Sequence, residues 1–231
     1  GGGAEGPLDS PARLTSQTVT GIWGGNNKIA GQRVDFASNT TFHFDADTLN
    51  LRVDGAVLTM QGHASSPPVF TLIFQAAKRR VTLHQPPTAP LPVPACVYAE
   101  LDELPPADEL RSWLAGAMRQ RRPDGVDGLY RQWAVMAPSL PGTFGFAWVD
   151  LDGEDRLQKF AATLKLEGGA ALDTRTTFQA SGASSGGGPD ASLFEPPAAW
   201  GECARWRAPA ALLLQQLLAP PSSPDGAPVL V

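Results

Sequence analysis

Phe42-His43-Phe44-Asp45-Ala46-Asp47-Thr48-Leu49-Asn50-Leu51-Arg52-Val53-Asp54 decides the fold class of this chain. Leu49, Leu51 and Val53 alternate with Asn50, Arg52 and Asp54, and Phe42 and Phe44 repeat the same period of two. Successive side chains of a strand point to opposite faces, so this is a half-buried antiparallel hairpin with Asp45-Ala46-Asp47 at its tip.

On either side of this hairpin the same period recurs. Thr18–Trp23 and Lys28–Phe36 alternate loosely around Gly24-Gly25-Asn26-Asn27, which reads as a hairpin turn. Val69–Gln75 and Arg79–His84 form a further pair, and Cys96–Leu101 another strand. Leu129–Met136, Phe144–Leu151, Arg156–Leu166 and Thr174–Ala180 complete the set. One long helix is expected from Ala107 to Arg121, where Leu110, Trp113, Leu114, Ala117 and Met118 make one apolar stripe. The fold class expected is mainly β: a curved antiparallel sheet forming a half-barrel or open barrel, with one main helix against it and extended terminal arms.

Glycine and proline delimit this sheet. The chain has 24 Gly and 22 Pro among 231 residues, and many sit in a few stretches. These are residues 1–16, an extended arm; Pro86–Pro94, a strap that lacks ladder donors; the Ser181–Pro197 approach to Cys203; and the tail from Pro220. The domain reading is therefore an arm over 1–16, one β domain over 17–204, and a short helix (Ala208–Leu218) and tail over 205–231.

Composition narrows the function. With 42% hydrophobic residues the chain can bury a core, so it is no disordered tail. A formal charge of −5 supplies no basic face, and Arg79-Arg80 and Arg119–Arg122 read as solvated, so no nucleic acid is expected as a partner. No apolar run reaches transmembrane length. Cys96 and Cys203 are the right number for one long-range disulfide in an oxidising compartment. Closing a loop of about 107 residues, that bond would stabilise the fold by about 4–5 kcal/mol in the chain-entropy model. Asn39-Thr40-Thr41 is an N-glycosylation sequon, meaningful in a secreted or lumenal protein.

Catalytic chemistry is sparse. His43, His63 and His84 show no metal spacing, and a Ser/His/Asp arrangement is defined by geometry rather than sequence. The carboxylates of Asp150-Leu151-Asp152-Gly153-Glu154-Asp155 place their glycine wrongly for a helix-flanked calcium loop and read as a hairpin turn. Gly186-Gly187-Gly188 lacks the Lys-Ser/Thr of a phosphate loop. Gly21-Ile22-Trp23 is similar to the Gly-x-Trp of lipocalin-type barrels, but the residues after Trp23 do not match their second strand, and a strand Trp is ordinarily core. No catalytic residue, metal or cofactor is assigned.

Three stretches resemble the ependymin-related family. Asp190-Ala191-Ser192-Leu193-Phe194-Glu195-Pro196-Pro197 leading to Cys203 is similar to its Asp-x-x-x-Phe-x-Pro-Pro ending. Phe42–Val53 is similar to its strand, Asp turn and Arg-Val strand, and Cys96 followed by Leu104-Pro105-Pro106-Ala107-Asp108 to its mid-chain segment. The layout also resembles the violacein-biosynthesis enzyme and the bacterial outer-membrane lipoprotein carriers. The resemblance implies a strongly curved half-barrel with helices against its concave face, an apolar cavity for lipid-like ligands, and a secreted or organellar setting. This chain departs from the family in having two cysteines, in the spacing at Trp200, and in extending past Cys203. No calcium ligand carries over.

The leading expectation is a non-enzymatic binder of a hydrophobic small molecule. Its cavity residues would be Phe42, Phe44, Leu51, Val53, Phe70, Leu72, Phe74, Trp133, Phe146 and Trp148, against the alternative that the same residues are packed core. The rivals are an accessory subunit that docks onto protein partners through its arms and C-terminal helix, and a cofactor-independent enzyme on the same fold.

Overall fold

The computed structural model describes residues 15–29, 32–60, 69–85, 95–101, 106–108, 118–120, 131–136, 143–151, 156–166, 173–182 and 187–207. Alternating sequence builds one mainly antiparallel sheet. Its strands are β1 (Gln17–Ile29), β2 (Gln32–Asp45), β3 (Asn50–Met60), β4 (Val69–Gln75), β5 (Arg80–His84) and β6 (Cys96–Glu100). They continue with β7 (Met118–Gln120), β8 (Arg131–Met136), β9 (Thr143–Leu151), β10 (Leu157–Leu166), β11 (Asp173–Ala180) and β12 (Ala204–Arg205). The order across the sheet is β12-β6-β5-β4-β3-β2-β1-β11-β10-β9-β8-β7. Among the described residues no ladder joins β12 to β7, so the sheet is open.

Register defines the inner face. Val19, Phe42, Val53, Leu72, Leu83 and Val97 are successive cross-strand partners from β1 to β6. The next row runs Gln17, Phe44, Leu51, Phe74, Val81 and Ala99. The sheet is strongly curved toward this face. Backbones three strands apart in a flat sheet are about 14 Å distant. Yet the rings of Trp23 on β1 and Phe70 on β4 meet with centroids 6.0 Å apart, and those of Phe42 on β2 and Phe160 on β10 at 5.3 Å. The apolar side chains thus converge inside the curve.

Two glycines allow that convergence. A Cβ on Gly21 would lie 2.3 Å from the Gln179 carbonyl oxygen and 2.5 Å from the Phe178 ring, and one on Gly55 would lie 2.5 Å from the Phe70 ring. Each aromatic ring rests directly on bare backbone, as it does over glycines at bends in curved sheets.

The hairpins β2–β3 and β4–β5 share a construction. Both have four-residue turns, 46–49 and 76–79, ending in a left-handed residue, Leu49 (φ 59°) and Arg79 (φ 46°). Asp45 closes the first turn by accepting from the Asp47 N–H at 3.0 Å and the Thr48 hydroxyl at 2.7 Å. Asn50 Oδ1 accepts from the Ala76 N–H at 3.0 Å, which ties the two tips together.

Two sequence expectations fail locally. Gly24-Gly25-Asn26-Asn27 is not a turn: β1 runs through it, paired to β2 on one side and β11 on the other, down to Ile29 opposite Gln32. Only residues 30–31 link the strands. Two ladders hold these residues extended and override their turn propensity. The helix expected to reach Arg121 begins at Ala107-Asp108, but Met118–Gln120 is strand and pairs with Gln132–Ala134. Ladder bonds to β8 outweigh the helical stripe there. The Pro86–Pro94 strap, residues 109–117, His63, Asp152–Asp155 and the expected helix from Ala208 lie outside the described residues.

Candidate functional site

The inner face has a closed floor and a half-open stripe. Phe178, Phe70, Val53 and Phe42 are buried, and Phe42 packs edge-on against Phe178 with centroids 4.5 Å apart. Trp23 and Phe160 border this floor and are partly buried. Beside them Phe44, Leu51 and Phe74, direct cross-strand partners on β2, β3 and β4, are each only half-buried, as is Leu72. Seven expected cavity residues, Phe42, Phe44, Leu51, Val53, Phe70, Leu72 and Phe74, therefore share one face. Trp133 is in register with Val149 and through it with Phe160 and Phe178. Trp148 and Phe146 are in register with Ala161 and Thr163, the alternating row. The side chains of Trp133, Phe146 and Trp148 lie outside the described residues.

Residues absent from the expected set belong to this face: Trp23, Phe160 and Phe178. Trp23 alternates with Val19 and Gly21, a signal available in sequence. Phe178 sits in a threonine-rich strand, so only its cross-strand partners reveal it.

The outer face of β3–β6 is partly covered. Residues 187–206 cross it as a strap. Asp190 caps a 3-10 turn, Ala191–Phe194, by accepting from the Ser192 N–H at 2.8 Å. Phe194 is buried at this turn, which lies against β3 and β4. Lys78 pairs with Glu195 at 3.0 Å, and Trp200 stacks on His84 with centroids 4.2 Å apart. Cys203 is bonded to Cys96, with Cα atoms 4.6 Å apart, as expected from two cysteines in the chain. β12 then pairs parallel to β6, and the Trp206 N–H donates to the Tyr98 carbonyl at 2.7 Å. Beneath the strap Ile73, Thr82, Gln75 and Thr71 are all buried on the outward side of their strands.

A polar chain anchors the strap. Arg52 places a two-nitrogen fork on Asp54, Nε to Oδ2 at 2.8 Å and Nη2 to Oδ1 at 3.1 Å, and its Nη1 donates to the Leu193 carbonyl at 3.1 Å. The Thr71 hydroxyl donates to Asp54 at 2.6 Å. His43 Nε2 lies 3.4 Å from the same carboxylate, and its Nδ1 is 2.9 Å from the Thr18 hydroxyl. Both contacts are satisfied when Nε2–H donates to Asp54 and Nδ1 accepts from Thr18. Partial burial works to raise the Asp54 carboxyl, but hydrogen bonds from His43, Arg52 and Thr71, with the Arg52 charge, outweigh it. They hold Asp54 far below the usual carboxylate range.

Hydroxyl, imidazole and carboxylate thus stand in the order of a nucleophile, a base and its orienting group. The carboxylate is already engaged by Arg52 and Thr71, and Arg52 also holds the strap. The arrangement serves to bind β1, β2, β3, β4 and the strap to one another.

Asn39 is exposed on the outer face of β2, in the part of that face beyond the strap. Its cross-strand partner, Ile22, is 48% exposed, the single exposed large hydrophobic among the described residues. Among the described residues no three His, Cys, Asp or Glu side chains gather as a metal site, and no helix is long and apolar enough to cross a membrane.

No protein-family model matches the chain, and no curated protein matches it.

Proposed function

We propose that this protein binds a hydrophobic, lipid-like small molecule in the concavity of its sheet, without catalysing a reaction on it. One observation carries the reading. On β2–β4 the apolar stripe Phe44, Leu51, Phe74 and Leu72 stays half-buried on the inner face, while a covalently fixed strap crosses the outer face of β3–β6. Folding alone favours burying such side chains, at about 25 cal/mol per Å² of apolar surface. A curved apolar wall left partly uncovered has that much free energy to offer a ligand of matching character. The resemblance to the ependymin-related family and to lipoprotein carriers points the same way, and the disulfide fits a secreted or lumenal setting.

Native mass spectrometry of the oxidised chain, with organic extraction of the same preparation, tests the proposal. A bound mass released into the organic phase supports it. A ligand-free chain that also takes up no fatty acid from mixed vesicles refutes it.

A further inference from the structure

The sequon has a structural setting that the ligand reading does not use. Asn39-Thr40-Thr41 is the one Asn-x-Ser/Thr sequence in the chain. Asn39 points outward from the convex side and is exposed. Thr40, the middle residue, points the other way and is buried against Ser38. Directly across the ladder from Asn39 stands Ile22. Around them Thr20 and Gln179 are exposed too.

We propose that Asn39 carries an N-linked glycan on the outer face of β2, beside Ile22. The donor is a polyprenyl-diphosphate-linked oligosaccharide. The Asn39 Nδ2 attacks the anomeric carbon of its first sugar. The C–N bond forms, the sugar–phosphate C–O bond breaks, the polyprenyl diphosphate leaves, and one amide proton is lost to a base of the transferase. The extended segment is modified before the strands pair. The folded sheet then leaves the sugar in solvent, because the residue faces outward.

Glycosylation at Asn39 does not depend on the ligand, but it requires passage through a glycosylating compartment, the same oxidising setting that the Cys96–Cys203 bond fits. It is tested by routing the full chain through the secretory pathway of a eukaryotic host behind a cleavable leader. Intact mass is then measured before and after peptide:N-glycosidase treatment. The expected result is loss of one oligosaccharide with conversion of Asn39 to Asp, absent in Asn39→Gln and Thr41→Ala and retained in Thr41→Ser. Secreted protein with the disulfide formed and Asn39 unmodified overturns the site.

Discussion

His84 and Trp200 lie face to face, 4.2 Å apart and 6° from parallel, and this pair joins the outer face of β5 to the strap. Burial pushes the His84 imidazole below its ordinary value of 6.5. The folded state therefore prefers the neutral ring. Its contribution to stability is full above pH 6.5 and is lost as pH falls through the lowered native value. Acidification should loosen the strap near Trp200, read as faster amide exchange over 198–206. His84→Phe should keep the stack and flatten the pH dependence; an unchanged acid response in that variant would count against it.

The disulfide fixes the same strap covalently. Cys203→Ala should lower unfolding free energy by about 2–5 kcal/mol, measured by urea denaturation. Exchange protection should fall on β4, where Ile73 is fully buried, before it falls on β1 and β2.

Asp54 answers for Arg52. Asp54→Ala removes both acceptors of the guanidinium fork and should cost about 2–3 kcal/mol. Because the native carboxyl is held far below its ordinary value of 3.8, its contribution is full above that pH and lost on further acidification. Asp54→Asn should therefore flatten the acid limb of the stability curve below about pH 4, which urea midpoints across pH would report.

Gly21 and Gly55 are predicted to reject even a methyl group. Gly21→Ala places a Cβ 2.3 Å from a carbonyl oxygen and 2.5 Å from a ring. Overpacking of that kind costs about 1–3 kcal/mol. Thr20→Ala, on the exposed side of the same strand, should change the urea midpoint little.

Much of this was written in the alternation of particular residues. Leu51 and Val53 against Asn50, Arg52 and Asp54 fix β3 and both of its faces, whereas Leu49, which continues the alternation in sequence, is the left-handed last residue of the turn. Val69–Gln75 predicts β4 to the residue. Gly24–Asn27 misleads because turn propensity is local, whereas two neighbouring ladders are not. Met118 misleads because one residue can satisfy a helical stripe and a strand alternation alike. The strap was legible as a distinctive stretch, Asp190 to Cys203, but not its position, since spacing does not say which face a segment crosses. One signal was available: Val69-Phe70-Thr71-Leu72-Ile73-Phe74 is nearly continuously apolar, which is how a strand buried on both faces reads. For the inner site, Phe44, Leu51 and Phe74 were legible by alternation. That they remain half-open depends on curvature, which no local pattern encodes.

The central claim is that the inner stripe of Phe44, Leu51 and Phe74 receives an apolar ligand. Titration of the oxidised chain with a fluorescent polyene fatty acid tests it most directly, comparing wild type with Leu51→Lys and with the outer-face control Ile22→Lys. Saturable one-to-one enhancement is predicted for wild type and Ile22→Lys. Affinity should be at least about tenfold weaker in Leu51→Lys, since about 1.4 kcal/mol of lost apolar contact suffices for that factor. Equal affinity in Leu51→Lys with the disulfide and urea midpoint intact, or no saturable binding to wild type, would contradict it.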